Sequence, residues 1–359
     1  MSRIKSIAPL AALTLSLVLS ACASYSGIHT EGVKLEANAL GAKDIKAEWP
    51  QSDWWLSLND ETLNHLIDDA LRGNPGLKEA DARLQKAKAI AGVIDSARYP
   101  QVNANLSSTR ERFSENGTTP PPYAGTTQSI NDLSLNASWE LDFFGRNGEA
   151  VQAALGELRA TEAEHQAARI MLSADVAQHY FALARLQQQL QIAEQQNQQR
   201  GKLLELEQSR VQAGIDAPGD LEPLKSGVAE NRRDSAALDE QIAQARHAIA
   251  ALLGRGPDAT NELHAALPPV NQVALPQELP IELLGRRADI VAARWRVESN
   301  LHGMESTKAL FYPNINLRGF AGFSSIGFGD FLDAGSRQPG LGIAITLPIF
   351  DADRLRNQY

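Results

Sequence analysis

The 359-residue chain is poor in several residue types, and each shortage excludes a class of protein. It has a single cysteine, so neither an internal disulfide nor a Cys-x-x-Cys metal site can form. Lysine and arginine number 34 against 43 aspartate and glutamate, which argues against a surface that wraps nucleic acid. Beyond residue 21 the sequence has no run of about 18 apolar residues, so no transmembrane helix is predicted there. Hydrophobic residues still make up 43%, so ordered structure is expected.

The N-terminal residues have the pattern of a bacterial targeting segment. A short basic start precedes an apolar stretch, residues 7–19, that is too short to span a bilayer as a helix. Small residues then precede Cys22, which resembles a lipobox and implies cleavage before that cysteine. We therefore expect a lipoprotein signal peptide over residues 1–21 and palmitoyl and diacylglycerol groups on Cys22. The alternative is an ordinary signal peptide with a chance cysteine.

An internal repeat organises the rest of the chain. The Tyr-Pro segment at Tyr99 recurs at Tyr312, and these two positions are 213 residues apart. The segment that begins at Trp139 has a counterpart at Ile345, with an offset of 206 residues, so the second copy has a shorter loop. Each repeat is predicted to run helix, Tyr-Pro, strand, loop, strand and helix.

Alternation of apolar and polar residues predicts the strands. Apolar side chains occupy the odd positions from Leu133 to Phe143, and the stretch from Leu341 to Ile349 repeats this pattern. Eleven residues extend about 37 Å, which spans a bilayer when the strand is tilted. The odd positions are predicted to face lipid and the even ones to line a water-filled lumen; the even positions are Asn136, Ser138, Glu140 and Asp142. A soluble antiparallel sheet with one wet face is the alternative.

Four strands are too few to close a barrel, because the smallest barrels need about eight. An open sheet edge is not tolerated in lipid, since its backbone groups would lack partners. Several copies of the chain must then share one barrel, so we expect an oligomer.

A long helix is predicted to follow the first hairpin. Residues 145–213 contain no proline, and a helix of that length extends about 100 Å. Apolar residues with heptad spacing form two seams on this helix, which implies packing partners on both sides. The first seam is Ala167, Ile170, Ala174, Ala177, Phe181 and Ala184, and the second is Leu172, Val176, His179, Leu183, Leu186, Leu190 and Ala193. A turn then leads to a returning helix, for which Asp220 is the predicted N-cap.

Several short motifs recur in one family in this order and spacing. They are Trp54-Trp55, Asp60 to Leu63, Asn74-Pro75-Gly76-Leu77, Tyr99-Pro100, Trp139 to Gly145, Leu252-Leu253-Gly254 and Leu283 to Ile290. With these motifs the chain resembles the TolC-like outer-membrane efflux factors, particularly their lipoprotein, NodT-type branch. Ala288 stands where the family usually has proline, which is a mild departure.

The resemblance implies a mixed α and β membrane protein. Three copies, each giving four strands, would form a 12-stranded outer-membrane β-barrel that continues into a periplasmic α-helical coiled-coil tunnel. Such a homotrimer is a passive conduit that exports drugs or other small toxic molecules, with no cofactor. It would dock a periplasmic adaptor (membrane fusion) protein and an inner-membrane pump of the RND, major-facilitator or fusaric-acid-resistance type. The implied adaptor-contact residues lie at the helical hairpin tip: Gly214, Ile215, Asp216, Ala217 and Leu221.

The predicted segments follow the repeat. They are the signal peptide 1–21, a periplasmic segment with the first-repeat helices 22–98, the first β-hairpin 99–144, the coiled arm 145–254, a Pro-rich equatorial linker 255–285, the second-repeat helix 286–311, the second hairpin 312–350 and the start of a second arm 351–359. The family has a second arm where this sequence has nine residues. A fragment and a natural truncation are both compatible with this sequence. We expect the functional gene product to continue about 100 residues beyond Tyr359.

Two other classes of function compete with this interpretation. An enzyme is not expected, because the seven histidines show no His-Glu-x-x-His or paired-ligand spacing. A structural or adhesive coiled-coil outer-membrane lipoprotein would explain Cys22 and the heptads. It would not explain two duplicated amphipathic hairpins.

Overall fold

The computed structural model describes residues 53–267 and 287–359. The predicted signal peptide, Cys22 and much of the predicted linker lie outside the described residues. The helices are α1 (Glu61–Gly73), α2 (Pro75–Ser96), α3 (Arg146–Gln212), α4 (Leu221–Leu252), α5 (Ala288–Ala309) and α6 (Arg354–Gln358). The strands are β1 (Gln101–Arg112), β2 (Thr127–Leu141), β3 (Asn314–Ile326) and β4 (Gly340–Thr346). Short 3₁₀ turns cover Trp54–Leu58, Pro218–Asp220, Pro257–Thr260 and Ala334–Ser336.

The chain divides into two compact units, and each combines segments that are distant in sequence. The first unit contains Gln85–Thr161 and Ala292–Tyr359, which include the whole sheet. The second contains residues 53–84, 162–267 and 287–291 of the described chain. The predicted arm 145–254 therefore contributes residues to both units.

One antiparallel sheet with the order β1-β2-β3-β4 forms the centre of the first unit. The four predicted strands are confirmed, but two of them are shorter than the alternation predicted. The pattern extended one strand to Phe143 and another to Ile349, whereas β2 ends at Leu141 and β4 ends at Thr346. Pro348 has no N–H group to donate to a neighbouring strand, so pairing cannot continue through it.

A buried asparagine joins the strands near the loop end of the sheet. Asn131 is 1% exposed, and its Oδ1 accepts a hydrogen bond of 2.8 Å from the Ser108 hydroxyl. Its Nδ2 donates to the Gly327 carbonyl oxygen at 2.9 Å, so one amide connects β1, β2 and the end of β3. Both polar ends of the amide have partners, so burial of Asn131 leaves no unpaired polar group.

The repeat offset is confirmed element by element. Helices α2 and α5 each contain 22 residues, and their first residues, Pro75 and Ala288, are 213 positions apart. The strands that follow them begin at Gln101 and Asn314, with the same offset.

Helix α5 packs closely against the start of α3. A Cβ atom at Gly156 would lie 2.9 Å from the Ser299 Cβ, so only glycine permits this approach. The Ser299 hydroxyl donates to the Ala153 carbonyl oxygen at 2.7 Å. The Arg159 guanidinium lies 4.5 Å from the centre of the Trp295 ring, which adds a cation–π contact.

The hydrophobic core of the second unit lies among α1, α3 and α4. Its fully buried side chains are Leu63, Ile67, Val176, Tyr180, Leu183 and Ile249. Burial of a large apolar side chain contributes about 1.5–3 kcal/mol, so this cluster is a major source of stability for the unit.

Asn74 connects two helix ends in the second unit. Its Oδ1 accepts from the Leu77 backbone N–H at 3.0 Å, which caps α2, while its Nδ2 donates to the Leu252 carbonyl oxygen at 2.9 Å. Gly254 has a φ of +66° and ends α4. A Cβ there would lie 2.6 Å from the Gly73 carbonyl oxygen, so both the conformation and the contact require glycine.

Candidate functional site

The sheet has one polar face. Register pairs Asn136 of β2 with Asn103 of β1 and Phe320 of β3, so these positions share a face. Ser138 and Glu140 belong to the same face, and all three predicted lumen residues of β2 are half-buried. The other members of this face are mostly polar: Gln101, Asn105, Ser107, Asp132, Ser134, Asn316, Arg318 and Thr346.

The opposite face of the sheet is apolar and exposed. Its large exposed side chains include Val102, Leu106, Leu135, Trp139, Leu341, Ile343 and Ile345. Leu341 is 81% exposed and Leu106 is 72% exposed, so no described residue covers this face at either edge of the sheet. A contiguous apolar surface of this kind is typical of contact with lipid or with another protein.

Two carboxylates of the predicted lumen series bind the start of α3. Glu140 forms an ion pair with Arg146, and the Asp142 Oδ2 accepts from the Gly148 backbone N–H at 2.8 Å. Asp142 lies beyond the end of β2, so its prediction as a strand residue is wrong. Its carboxylate instead satisfies a free N–H group at the positive end of the helix dipole.

Aromatic residues gather at this end of the sheet. The Phe144 and Tyr312 rings are stacked with their centres 4.9 Å apart, while Tyr99 and Phe350 are exposed. Rings of this kind are typical of the boundary between lipid and water.

The hairpin tip brings the predicted adaptor-contact residues together. Helix α3 ends in a Schellman motif: Gly214, with a φ of +74°, donates to the Val211 carbonyl oxygen, and Ile215 donates to that of Arg210. Ile215 is 65% exposed. Ala217 follows in the turn, and Leu221 begins α4.

An ion pair braces the tip across the turn. The Arg210 guanidinium donates to both carboxylate oxygens of Asp216, and this lowers the pKa of Asp216 below its ordinary value. Partial burial raises the pKa of Glu207, and the nearby Asp216 carboxylate raises it further. The turn therefore concentrates charge beside an exposed isoleucine.

Asp220 occupies the N-cap position of the returning helix, as predicted, but its side chain does not cap the helix. Its backbone is helical, with φ −73° and ψ −13°, and its side chain makes no capping bond to α4. The Asp220 Oδ2 instead accepts from the Ala217 backbone N–H at 3.2 Å. The 3₁₀ turn that begins at Pro218 directly precedes α4, and the Asp220 carboxylate closes this turn.

The predicted long helix is confirmed, with 67 residues in α3. Its second seam is largely buried, since Leu172, Val176 and Leu183 are at most 8% exposed. Its first seam is covered only in part, because Ile170 is 45% exposed while Ala177 is buried. The second seam therefore packs within the second unit, and the first keeps an apolar surface open.

Tyr180 is a hydrogen-bonding centre that the sequence patterns did not reveal. Its hydroxyl donates to the Asp60 Oδ2 at 2.7 Å and accepts from the Ala266 backbone N–H at 3.2 Å. Burial raises the pKa of Tyr180 to about 12, with a further contribution from the Asp60 carboxylate. No spacing in the sequence indicates this set of contacts, because its members are up to 206 residues apart.

Two histidine–carboxylate pairs were also not predicted from the sequence. His165 Nε2 lies 2.7 Å from the Asp81 Oδ1, and His302 Nδ1 lies 2.6 Å from the Glu149 Oε2. Each pair connects α3 with one of the two repeat helices. Among residues 53–267 and 287–359, no cluster of three or more histidine, cysteine or acidic residues could hold a metal ion. In the same residues, no helix is both long and apolar enough to cross a membrane.

The comparisons with known proteins agree on one family. The profile of the outer membrane efflux protein family matches residues 66–255 and 279–359. Fusaric acid resistance protein FusA of Burkholderia cepacia is 35% identical over an aligned length of 359 residues. The match covers 97% of this chain and 68% of that protein. The multidrug resistance outer membrane protein MdtP of Escherichia coli K12 is 32% identical over 352 residues, covering 95% of this chain and 71% of that protein.

Solved structures have the same fold. The crystal structure of the outer membrane protein VceC from Vibrio cholerae aligns with a TM-score of 0.77 and 35% identity, covering 86% of this chain and 74% of that one. The outer-membrane channel OprN aligns with a TM-score of 0.75 and 29% identity, covering 94% and 75%. Together with the two-faced sheet and the long helix, these matches establish that the chain belongs to the outer membrane efflux protein family.

Proposed function

We propose that this chain is the outer-membrane channel component of a tripartite efflux system. Members of its family are passive conduits and not enzymes. The observation that carries the proposal is the sheet, which has a polar face, an opposite apolar exposed face and a direct connection to the 67-residue helix α3. The names of FusA and MdtP, which refer to fusaric acid and multidrug resistance, support drugs and other small toxic molecules as the cargo.

The channel is a homotrimer in this proposal. Strands β1 and β4 each have a free edge within the described sheet, and free edges are not tolerated in lipid. Pairing of the β1 edge of one copy with the β4 edge of the next removes every edge. Three copies supply 12 strands, which is well above the minimum of about eight for a closed barrel.

The proposal also assigns a membrane anchor and partner proteins to this chain. Lipidated Cys22 holds the chain at the outer membrane, and the apolar sheet face contacts membrane lipid. The hairpin tip contacts the periplasmic adaptor, which links the channel to an inner-membrane pump. The exposed Ile215 and the braced turn at Asp216 support this role, because they offer a rigid surface with one apolar anchor.

Two measurements on the purified protein test this proposal. Native mass spectrometry should give a species of three chains, and planar bilayers that contain the protein should show discrete single-channel currents. A matched variant with Ala137→Arg on the apolar face should lose both, whereas Asn136→Arg should keep both. A purely monomeric protein without channel currents would contradict the proposal and would favour a structural or adhesive stalk.

A further inference from the structure

The polar face of the sheet contains a cavity, and the following inference rests on the proposal that this face lines the conduit. The cavity has a volume of about 430 Å³. Its polar and aromatic lining includes Asn105, Ser107, Asp132, Asn136, Phe320 and Gln338. All of these residues belong to the first unit, so the cavity lies within that unit.

Phe320 provides an aromatic surface on this otherwise polar face. It pairs with Asn136 on one side and with Gly340 on the other. A Cβ atom at Gly340 would lie 2.3 Å from the Phe320 Cε1, so the ring lies directly over the glycine backbone. The residue is nevertheless 42% exposed, so part of it is accessible from the cavity.

Asp132 provides a negative charge in the same cavity. Its register partners are Ser107 and Ser324, both neutral. No salt bridge in the described part of the chain involves its carboxylate. An aspartate with no cationic partner, beside hydroxyl and amide groups, attracts a cation from solution.

Gly322 lines the cavity between these two residues. It pairs with Ser134, midway between the register positions of Asp132 and Phe320. A Cβ there would lie 2.1 Å from the Leu133 carbonyl oxygen, so the position requires glycine. Asp132 and Asn136, the partner of Phe320, are four residues apart, which corresponds to about 13 Å along a strand. The cavity is therefore elongated, with an acidic end and an aromatic end.

We propose that this cavity binds elongated amphiphilic organic cations. The apolar or aromatic end of the ligand stacks on Phe320, and its positive charge lies near Asp132. The amides of Asn105, Asn136 and Gln338 complete the wall between these two ends. Pockets that bind small molecules commonly combine apolar surface with a few polar groups in this way. The cavity thereby favours cationic cargo over anionic cargo of the same shape.

Isothermal titration calorimetry on the purified full chain in detergent tests the site, with empty micelles as the blank. The probe is 4-phenylbutyltrimethylammonium, and its matched ligands are neutral 4-phenylbutanol and anionic 4-phenylbutyrate. Asp132→Asn and Phe320→Leu should each weaken binding of the cation about tenfold, because each removes one end of the site. The control variants Asp330→Asn and Phe328→Leu change the same residue types in the exposed β3–β4 loop and should leave the affinity unchanged.

Equal affinity for the cation and the carboxylate would overturn the proposal, as would unchanged affinity in both cavity variants. Channel currents separate this outcome from failure of the proposed function. If the protein conducts but does not discriminate among the three ligands, only the binding site is refuted. If it binds the cation selectively but carries no current, the site stands and the channel role fails.

Discussion

Loss of the Tyr180 hydroxyl should loosen the second unit without creating a cavity. In Tyr180→Phe the ring still fills its site, which is 1% exposed in the native protein. The hydrogen bond to the Asp60 Oδ2 and the one from the Ala266 N–H both disappear. With a pKa of about 12 the native hydroxyl keeps its proton at neutral pH, so it is the donor to Asp60 under all ordinary conditions.

The expected cost is about 1–3 kcal/mol, because two hydrogen bonds are lost and each contributes about 0.5–1.5 kcal/mol. Asp60 keeps its other contact, in which the Oδ1 accepts from the Leu63 N–H at 3.0 Å and caps α1. Ala266 is exposed, and its N–H loses the bond to the Tyr180 hydroxyl, so exchange at this amide reports the loss directly. A cost of this size increases local opening about 5- to 150-fold.

Hydrogen–deuterium exchange with mass spectrometry measures this opening. Peptides that contain Ala266 should exchange faster in Tyr180→Phe by that factor, and peptides from β1 should be unchanged. Tyr123→Phe is the matched control, because Tyr123 is 37% exposed in a loop. Equal exchange at Ala266 in the native protein and in Tyr180→Phe would show that the Tyr180 hydroxyl does not protect this amide.

Three further predictions concern the membrane face, the anchor and the tip. Ala137→Arg should cost about 2–4 kcal/mol of barrel stability and Asn136→Arg little, as judged by heat-resistant mobility on SDS gels; equal losses would contradict the assigned faces. Metabolic labelling with palmitate should mark the native protein but not Cys22→Ser, and a label that persists would exclude this anchor. Since Arg210 lowers the pKa of Asp216, their pair stabilises the turn above about pH 4 and is lost as the pH falls through the lowered pKa. The protection of amides at the turn, corrected for the intrinsic pH dependence of exchange, should therefore fall in acid, and Asp216→Asn should abolish this change.

Much of the fold could be predicted because its signals are periodic. The 213-residue offset locates α2, α5, β1 and β3, and the absence of proline over residues 145–213 gives the extent of α3. Strand ends were harder to predict, because side-chain alternation continues past Thr346 although pairing stops there. Backbone pairing, and not the side-chain pattern, decides where a strand ends.

The site could be predicted only in part. Alternation placed Asn136, Ser138 and Glu140 on one face, which the register reproduces. It could not reveal that Asp142 binds the start of α3, because that role depends on how the chain turns after β2. Contacts between distant segments, such as His302 with Glu149, have no local signature at all.

Cysteine scanning along β2 in intact outer membranes distinguishes the water-filled side of the sheet from the lipid side. Single cysteines are placed from position 133 to position 140, and a water-soluble maleimide is applied, with the unmodified chain as the background. We expect strong labelling at the even positions, including Asn136 and Ser138, and weak labelling at the odd positions, including Leu135 and Ala137. Uniform labelling of both sets, or stronger labelling at the odd positions, would contradict a sheet with one face in a water-filled conduit and the other in lipid.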